Sequence, residues 1–309
     1  MNLSRLYEQM KSDIKSNIEK HEQQYEQIRS NVEQSSAIYH GHPVDFLYHL
    51  ILVDQYKLHN FQEKLDKFNQ ILKKITTKYL SDPKFRSYFR FPELMEELIM
   101  IDPGYEIEYP VARFDFFNPY NDKNIKFCEL NTDGSSAMNE VRVLQREFSN
   151  SALIKDYDHE YNFNGFELFY SLIDDILDNY RQFKGEKEVD PNIAIVDFTG
   201  DGTVHEFEEF KKRFIKKGYD TVICDPRKME YREGNLYYNE MKIDLIYRRA
   251  TTARMVDEGD EIGDFLQAYR DGAVCVVGSF RSQIPHNKII FAILHDRDKV
   301  AFLSDDEHK

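Results

Sequence analysis

The spacing of apolar residues changes period at Val111, and that change limits the folds open to the chain. Upstream the period is helical: Leu3, Leu6, Tyr7, Met10, Ile14 and Ile18 recur at three- and four-residue steps, one apolar stripe on a charged helix. Gly41-His42-Pro43 interrupts the pattern, and a second stripe runs through Leu47, Leu50, Ile51, Leu58, Phe61, Leu65, Phe68, Leu72 and Ile75. Asp82-Pro83 has the form of a cap with proline in the first turn of another short helix. Downstream the period becomes two over residues 111–117 and 125–131, joined by the turn formers of 118–124. Gly134-Ser135-Ser136 then leads into a helix over about 137–148, and a further helix is predicted over 165–183.

From residue 193 onward strands and helices alternate. A buried strand over 193–198 is followed by a tight turn at Gly200-Asp201-Gly202-Thr203 and an amphipathic helix over 205–217, closed by Gly218. Strands are expected over 222–224, 236–238 and 243–247, then a helix near 263–269 and a strand over 273–277. Such alternation predicts a largely parallel sheet covered by helices, a small doubly wound unit. The expected fold class is α/β in a mixed α+β sense. Its expected parts are a helical N-terminal region at 1–105, a hairpin-bearing region at 106–185, an α/β domain at 186–295 and a polar tail at 296–309.

Composition narrows the function classes. Against 41 Lys+Arg stand 55 Asp+Glu, a formal charge of −14, which disfavours nonspecific binding to nucleic acid or to an anionic membrane. Cys128, Cys224 and Cys275 lie far apart, which excludes a disulfide framework or zinc ribbon and suits a reducing compartment. The charged N-terminus carries no signal-peptide pattern, and the longest apolar run, 289–294, is too short to cross a bilayer. The expectation is a soluble cytoplasmic protein with no nucleic-acid or membrane partner.

The two period-two segments carry the chemistry. Arg113 and Asp115 share a strand face, as do Glu129 and Asn131. A hairpin pairing Arg113 opposite Glu129 gathers all four on one surface and leaves Ala112, Phe114 and Phe116 on the other. Two carboxylates and an amide oxygen are hard ligands suited to Mg²⁺, which keeps several waters and takes phosphate oxygens. An adjacent arginine suits bidentate pairing with phosphate or carboxylate. The competing reading is a surface hairpin with a cross-strand ion pair of about 0–1 kcal/mol.

These residues resemble a known family. Tyr109-Pro-Val-Ala-Arg113-Phe-Asp115-Phe, followed by Lys126-Phe-Cys-Glu129-Leu-Asn131-Thr-Asp133-Gly-Ser135-Ser136, is similar to the glutathionylspermidine synthase family, a group of circularly permuted ATP-grasp carboxylate–amine ligases. Asp102-Pro103-Gly104-Tyr105, Tyr247-Arg248-Arg249 and Phe280-Arg281-Ser282-Gln283-Ile284-Pro285-His286-Asn287-Lys288 extend the likeness over about 92–294. The resemblance implies a glutathione synthetase ATP-grasp-like fold with a pre-ATP-grasp-like α/β unit. It further implies ATP as co-substrate, Mg²⁺ as cofactor, and a small-molecule or peptide carboxylate and an amine as partners. Arg113 would contact the reacting phosphate and acyl group, and Asp115, Glu129 and Asn131 would hold Mg²⁺. Ser135 and Ser136 would lie in the loop that binds the carboxylate substrate, and Lys288 would contact nucleotide phosphate. The implied reaction forms an acyl-phosphate, from which an amine displaces phosphate. Family members complete the nucleotide site well downstream of the Asn-Lys pair, whereas this sequence stops at Lys309, so the expectation is such a ligase or its N-terminal portion, the latter holding the substrate side of the site and binding ATP poorly or not at all.

Alternatives stand beside that reading. One is a non-catalytic peptide- or amino-acid-binding module derived from the ligase fold; another is an unrelated Mg²⁺-dependent phosphotransferase. Arg248, Arg249 and Arg254 follow a predicted strand, where they suit either a substrate anion or a solvated basic loop. Gly200-Asp201-Gly202-Thr203 reads as a plain βα turn before an anion cradle, and His40 and His42 as loop or core residues before metal ligands. Cys128 reads as a packing residue.

Overall fold

The computed structural model describes residues 3–39, 41–107, 109–118, 125–185, 190–200 and 203–308. Helices α1 (Leu3–Ser16) and α2 (Ile18–Glu33) come first, then a short ladder of β1 (Ile38–Tyr39) with β2 (His42–Pro43). α3 (Gln55–Ser81), α4 (Pro83–Arg86) and α5 (Glu93–Met100) lead to β3 (Arg113–Phe117) and β4 (Lys126–Asn131). α6 (Met138–Ser149), α7 (Ala152–Lys155) and α8 (Phe169–Phe183) follow. Then come β5 (Ile193–Val196), α9 (Val204–Lys216), β6 (Thr221–Cys224), β7 (Met229–Arg232), β8 (Asn235–Tyr238), β9 (Met241–Ile243) and β10 (Leu245–Arg248). α10 (Thr252–Asp257), α11 (Gly263–Arg270), β11 (Cys275–Val277), α12 (Gln283–His286) and α13 (Ile289–His295) end the series, so the chain is mixed α/β.

The chain groups into two compact units, Met1–Asp66 with Ala137–Leu168, and Lys67–Ser136 with Phe169–Lys309. This grouping differs from the expected cuts at 105 and 185. The first helices go with α6 and α7, and the β3–β4 hairpin goes with the later strands.

In the first unit, Ile28 and Val32 of α2 pack with Val143 and Phe148 of α6, and with Ala37 and Leu153. Asn31 donates to Glu147 at 2.7 Å across the same two helices. The stripe expected to run helically from Leu47 does not. Asp54 accepts the Lys57 backbone N–H at 2.8 Å and so caps α3, which begins only at Gln55. Residues 47–54 carry no helix, and Leu47 and Ile51 are 80% and 89% exposed. His42 sits in the exposed β2, and His40 lies outside the described residues.

The second unit is built on a parallel sheet of order β11-β10-β5-β6. Every residue of β5 and β10 is buried, as expected of strands covered on both faces, and all but Arg248 at the end of β10 are apolar or aromatic. α9 lies on β6, and α8 packs on α9 and β11. Between β6 and β10 the chain makes an antiparallel meander, β7-β8-β9, whose first strand the period does not announce. Its first turn, Glu233-Gly234, has φ of +52° and +73°, the left-handed pair of a type I′ hairpin. The strand expected over 243–247 divides at Asp244 between β9 and β10.

Residues 296–308, within the polar tail expected over 296–309, are seated on this unit. Val300 and Leu303 are buried in the core of this unit. Lys67 and Lys74 of α3 pair with Asp306 at 2.8 Å and Glu307 at 2.7 Å. Asp201 and Gly202 of the glycine turn lie outside the described residues. Among the described residues no helix is long and apolar enough to cross a membrane.

Candidate functional site

The hairpin builds the site through an irregular register. Arg113 lies opposite Asn131 and Asp115 opposite Glu129, but Phe116 then faces Phe127, leaving Cys128 as the extra residue of a bulge. The expected pairing of Arg113 with Glu129 is thus corrected by two residues. The common face survives, because a two-residue shift preserves the alternation. The bulge also has a packing reason. In an unbroken ladder Phe127 would share the polar face with Glu129; displaced by one, it stacks on Phe68 of α3 at 4.1 Å and 13° between planes. Phe114 meets both rings edge-on. Ala112 is exposed rather than part of this apolar face. Cys128 is also exposed, its Sγ 3.2 Å from the Asp115 carbonyl, so it is not the packing residue expected.

On the polar face, Arg113 forks onto Asp115, Nε to Oδ1 at 3.0 Å and Nη2 to Oδ2 at 3.4 Å. Asn131 Nδ2 donates to the same carboxylate at 3.3 Å. Lys288 Nζ lies 3.1 Å from Glu129 Oε1, and Arg113 Nη1 donates to the Ser136 carbonyl at 3.2 Å. Arg113, Asp115, Glu129 and Lys288 keep 36–69% of their side chains exposed, so a solute can reach them. Five expected site residues therefore meet here with the Ser136 backbone. Two cations balance two carboxylates.

The loop after β4 fixes this face to the sheet. Asp133, buried, accepts from Arg248 Nη2 at 2.7 Å, Thr252 N at 2.6 Å, Thr252 Oγ1 at 3.0 Å and Ser282 Oγ at 3.0 Å. Burial alone would raise its carboxyl; the Arg248 charge and these hydrogen bonds hold it below the usual carboxylate range. Gly134, at φ +67°, passes so close that a Cβ would come 2.9 Å from Thr251 Cγ2 and 3.0 Å from the Arg249 carbonyl. Thr132 Oγ1 donates to the Ser282 carbonyl at 2.7 Å.

Arg248 and Arg249 are accordingly not the open substrate-binding groups expected, nor a solvated basic loop. Both are buried. Arg248 is taken up by Asp133 and by the carbonyls of Gly278, Ala250 and Ser279. Arg249 pairs with the buried Glu206 at 2.9 Å and donates to the Ser135 carbonyl. Burial would lower the Arg249 guanidinium, but Tyr247 and Glu206 hold it above its ordinary value. In open parallel sheets the crevice outside the strand ends, where strand order reverses, commonly receives a ligand. Here the order reverses between β5 and β10, and Asp133 and Ser135 of the chain itself occupy the β10 end. Ser135 is buried and meets Arg249 through its carbonyl, whereas Ser136 is half-buried beside Arg113. Arg254, exposed at 41% of its side chain, pairs with Glu258.

Sequence reasoning missed Asp133 and Glu206. Their partners lie 115 and 43 residues away, and no local spacing signals such pairs. Among the described residues no group of three or more His, Cys, Asp or Glu gathers as a metal site. Asp115, Glu129 and Asn131 fit Mg²⁺ by donor type, but each carboxylate is already held by a cation. No protein-family model matches the sequence, and comparison with curated proteins finds no match.

Proposed function

We propose that the polar face of the β3–β4 hairpin is the reaction site of an ATP- and Mg²⁺-dependent carboxylate–amine ligase of ATP-grasp-like architecture, similar to the glutathionylspermidine synthase family. The observation that carries this reading is the meeting of Arg113, Asp115, Glu129, Asn131 and Lys288, from three separate chain segments, on one accessible face.

The roles follow from charge. The paired cluster is neutral, so a bare divalent cation gains little there, whereas a metal–nucleotide brings anionic oxygens that Arg113 and Lys288 can take while releasing the carboxylates. Asp115, Glu129 and Asn131 would then hold Mg²⁺, which when bound offsets phosphate charge. Arg113 orients and neutralises the transferring phosphoryl group and the acyl-phosphate, with the Ser136 carbonyl fixing the guanidinium plane. Lys288 meets nucleotide phosphate as a point charge. Amide formation then needs only an amine and a positioned acyl-phosphate. A coupled assay for ADP release, with hydroxylamine as the trapping amine and a panel of carboxylates, tests this. ADP and hydroxamate should appear together in the wild type, and Asp115→Asn or Glu129→Gln should lower both at least tenfold. Undiminished turnover in either variant contradicts the metal assignment, and ADP without hydroxamate favours an unrelated phosphotransferase.

One observation favours a second reading, a non-catalytic module that binds a peptide or amino-acid carboxylate: both acidic groups are already neutralised within the protein. Carboxylate binding that is indifferent to Mg²⁺ and ATP and that Arg113→Ala abolishes would support it.

A further inference from the structure

A cavity of about 600 Å³ lies between the turn after α4 and one side of α13. That volume falls within the range of small-molecule sites, about 300–1,000 Å³. Its lining includes an apolar set, Phe89, Ile289, Ala292 and Ile293, and two cations, Arg90 and Lys299. Lys299 is engaged by Asp296 and lies over the Tyr88 ring at 5.3 Å. Arg90 is exposed and makes no hydrogen bond or ion pair among the described residues. Its backbone stands at φ +54°, left-handed, at the end of the turn that closes α4. Helix and turn ends of this kind are ordinarily given to glycine, which adopts that conformation without strain. Here the chain keeps an arginine in a glycine conformation on the lining of an apolar-walled cavity, exposed and without a hydrogen-bond or ion-pair partner among the described residues. Strained backbone of this sort collects at ligand-holding positions.

We propose that this cavity binds a small carboxylate with an apolar body. Arg90 takes the carboxylate as a bidentate fork, and the Phe89, Ile289, Ala292 and Ile293 wall takes the body. A monoanion fits better than a phosphate dianion, because one cation is unengaged and the chain as a whole carries −14. Asn287 and Ile289, which bracket Lys288 in sequence, both line the cavity, so it shares a chain segment with the hairpin cluster. The proposal needs neither nucleotide nor metal and stands or falls apart from the ligase reading.

Isothermal calorimetry on the full chain, without nucleotide or Mg²⁺, compares 3-phenylpropanoate with 3-phenylpropylamine, the same body under opposite charge. The carboxylate should bind and the amine should not. Arg90→Gly should weaken the carboxylate at least tenfold while holding or raising the thermal midpoint, since glycine relieves the left-handed backbone. Ala292→Trp should abolish binding by filling the wall. Equal affinity for acid and amine, unchanged affinity in Arg90→Gly, or tighter binding of phenyl phosphate than of 3-phenylpropanoate would each overturn the proposal.

Discussion

Asp133 accepts four hydrogen bonds from three residues and carries the buried countercharge of Arg248. Asp133→Asn keeps the shape but strands a buried guanidinium. Removal of one member of a buried pair costs about 3–5 kcal/mol, and we expect about 3 kcal/mol by urea denaturation. Adding Arg248→Met should recover much of that loss, because the double variant leaves no unpaired charge. An additive double variant would show that the two residues act independently. At the same scale, Cys224 and Cys275 are unlike Cys128. Burial pushes the Cys224 thiol up to about 12 and the Cys275 thiol higher still, whereas Cys128 is exposed. Under denaturant-free labelling with a maleimide, Cys128 should react first and singly.

The hairpin shows what an element's sequence can and cannot convey. The two-residue period located β3 and β4 and put Arg113, Asp115, Glu129 and Asn131 on one face. It did not convey the bulge at Cys128, because that bulge answers to Phe68, a distant residue whose ring needs Phe127 on the buried side. Phe68→Ala should therefore cost about 2–3 kcal/mol, less than the about 3–5 of a fully buried phenylalanine. It should also perturb the Glu129–Lys288 pair through the loosened register, visible as broadened Glu129 side-chain resonances. Gly134→Ala should destabilise by about 1–3 kcal/mol through its left-handed backbone and the clash with Thr251. The start of α3 is the converse case. The Asp54 cap was present in the sequence, but the longer apolar stripe from Leu47 outweighed it in a reading by period alone.

At the scale of the molecule, the alternation of strands and helices announced the parallel sheet, and the near-continuous apolar runs 193–196 and 245–247 marked strands buried on both faces. The antiparallel meander, the grouping of the first helices with α6 and α7, and the seating of residues 296–308 were not legible. The meander pairs locally, but its first strand carries no clear two-residue period; the other two depend on contacts between residues far apart in sequence. The C-terminal seating makes a pH prediction. The hydrogen bond from Lys74, with help from Ser304, lowers the Glu307 carboxyl from 4.5 to about 2. Its stabilisation is therefore complete above about pH 5 and lost as pH falls from about 4.5 through about 2. The stability difference between wild type and Glu307→Gln should be full at pH 7 and vanish near pH 2; a pH-independent difference would contradict the seating.

Calorimetric titration of ATP into the full chain, with and without Mg²⁺, tests most directly whether the hairpin face handles a metal–nucleotide as proposed. Binding in the wild type should depend on Mg²⁺ and fall at least tenfold in Asp115→Asn and Glu129→Gln, with thermal midpoints unchanged. Binding of ATP that ignores Mg²⁺, or that both variants leave intact, would contradict it.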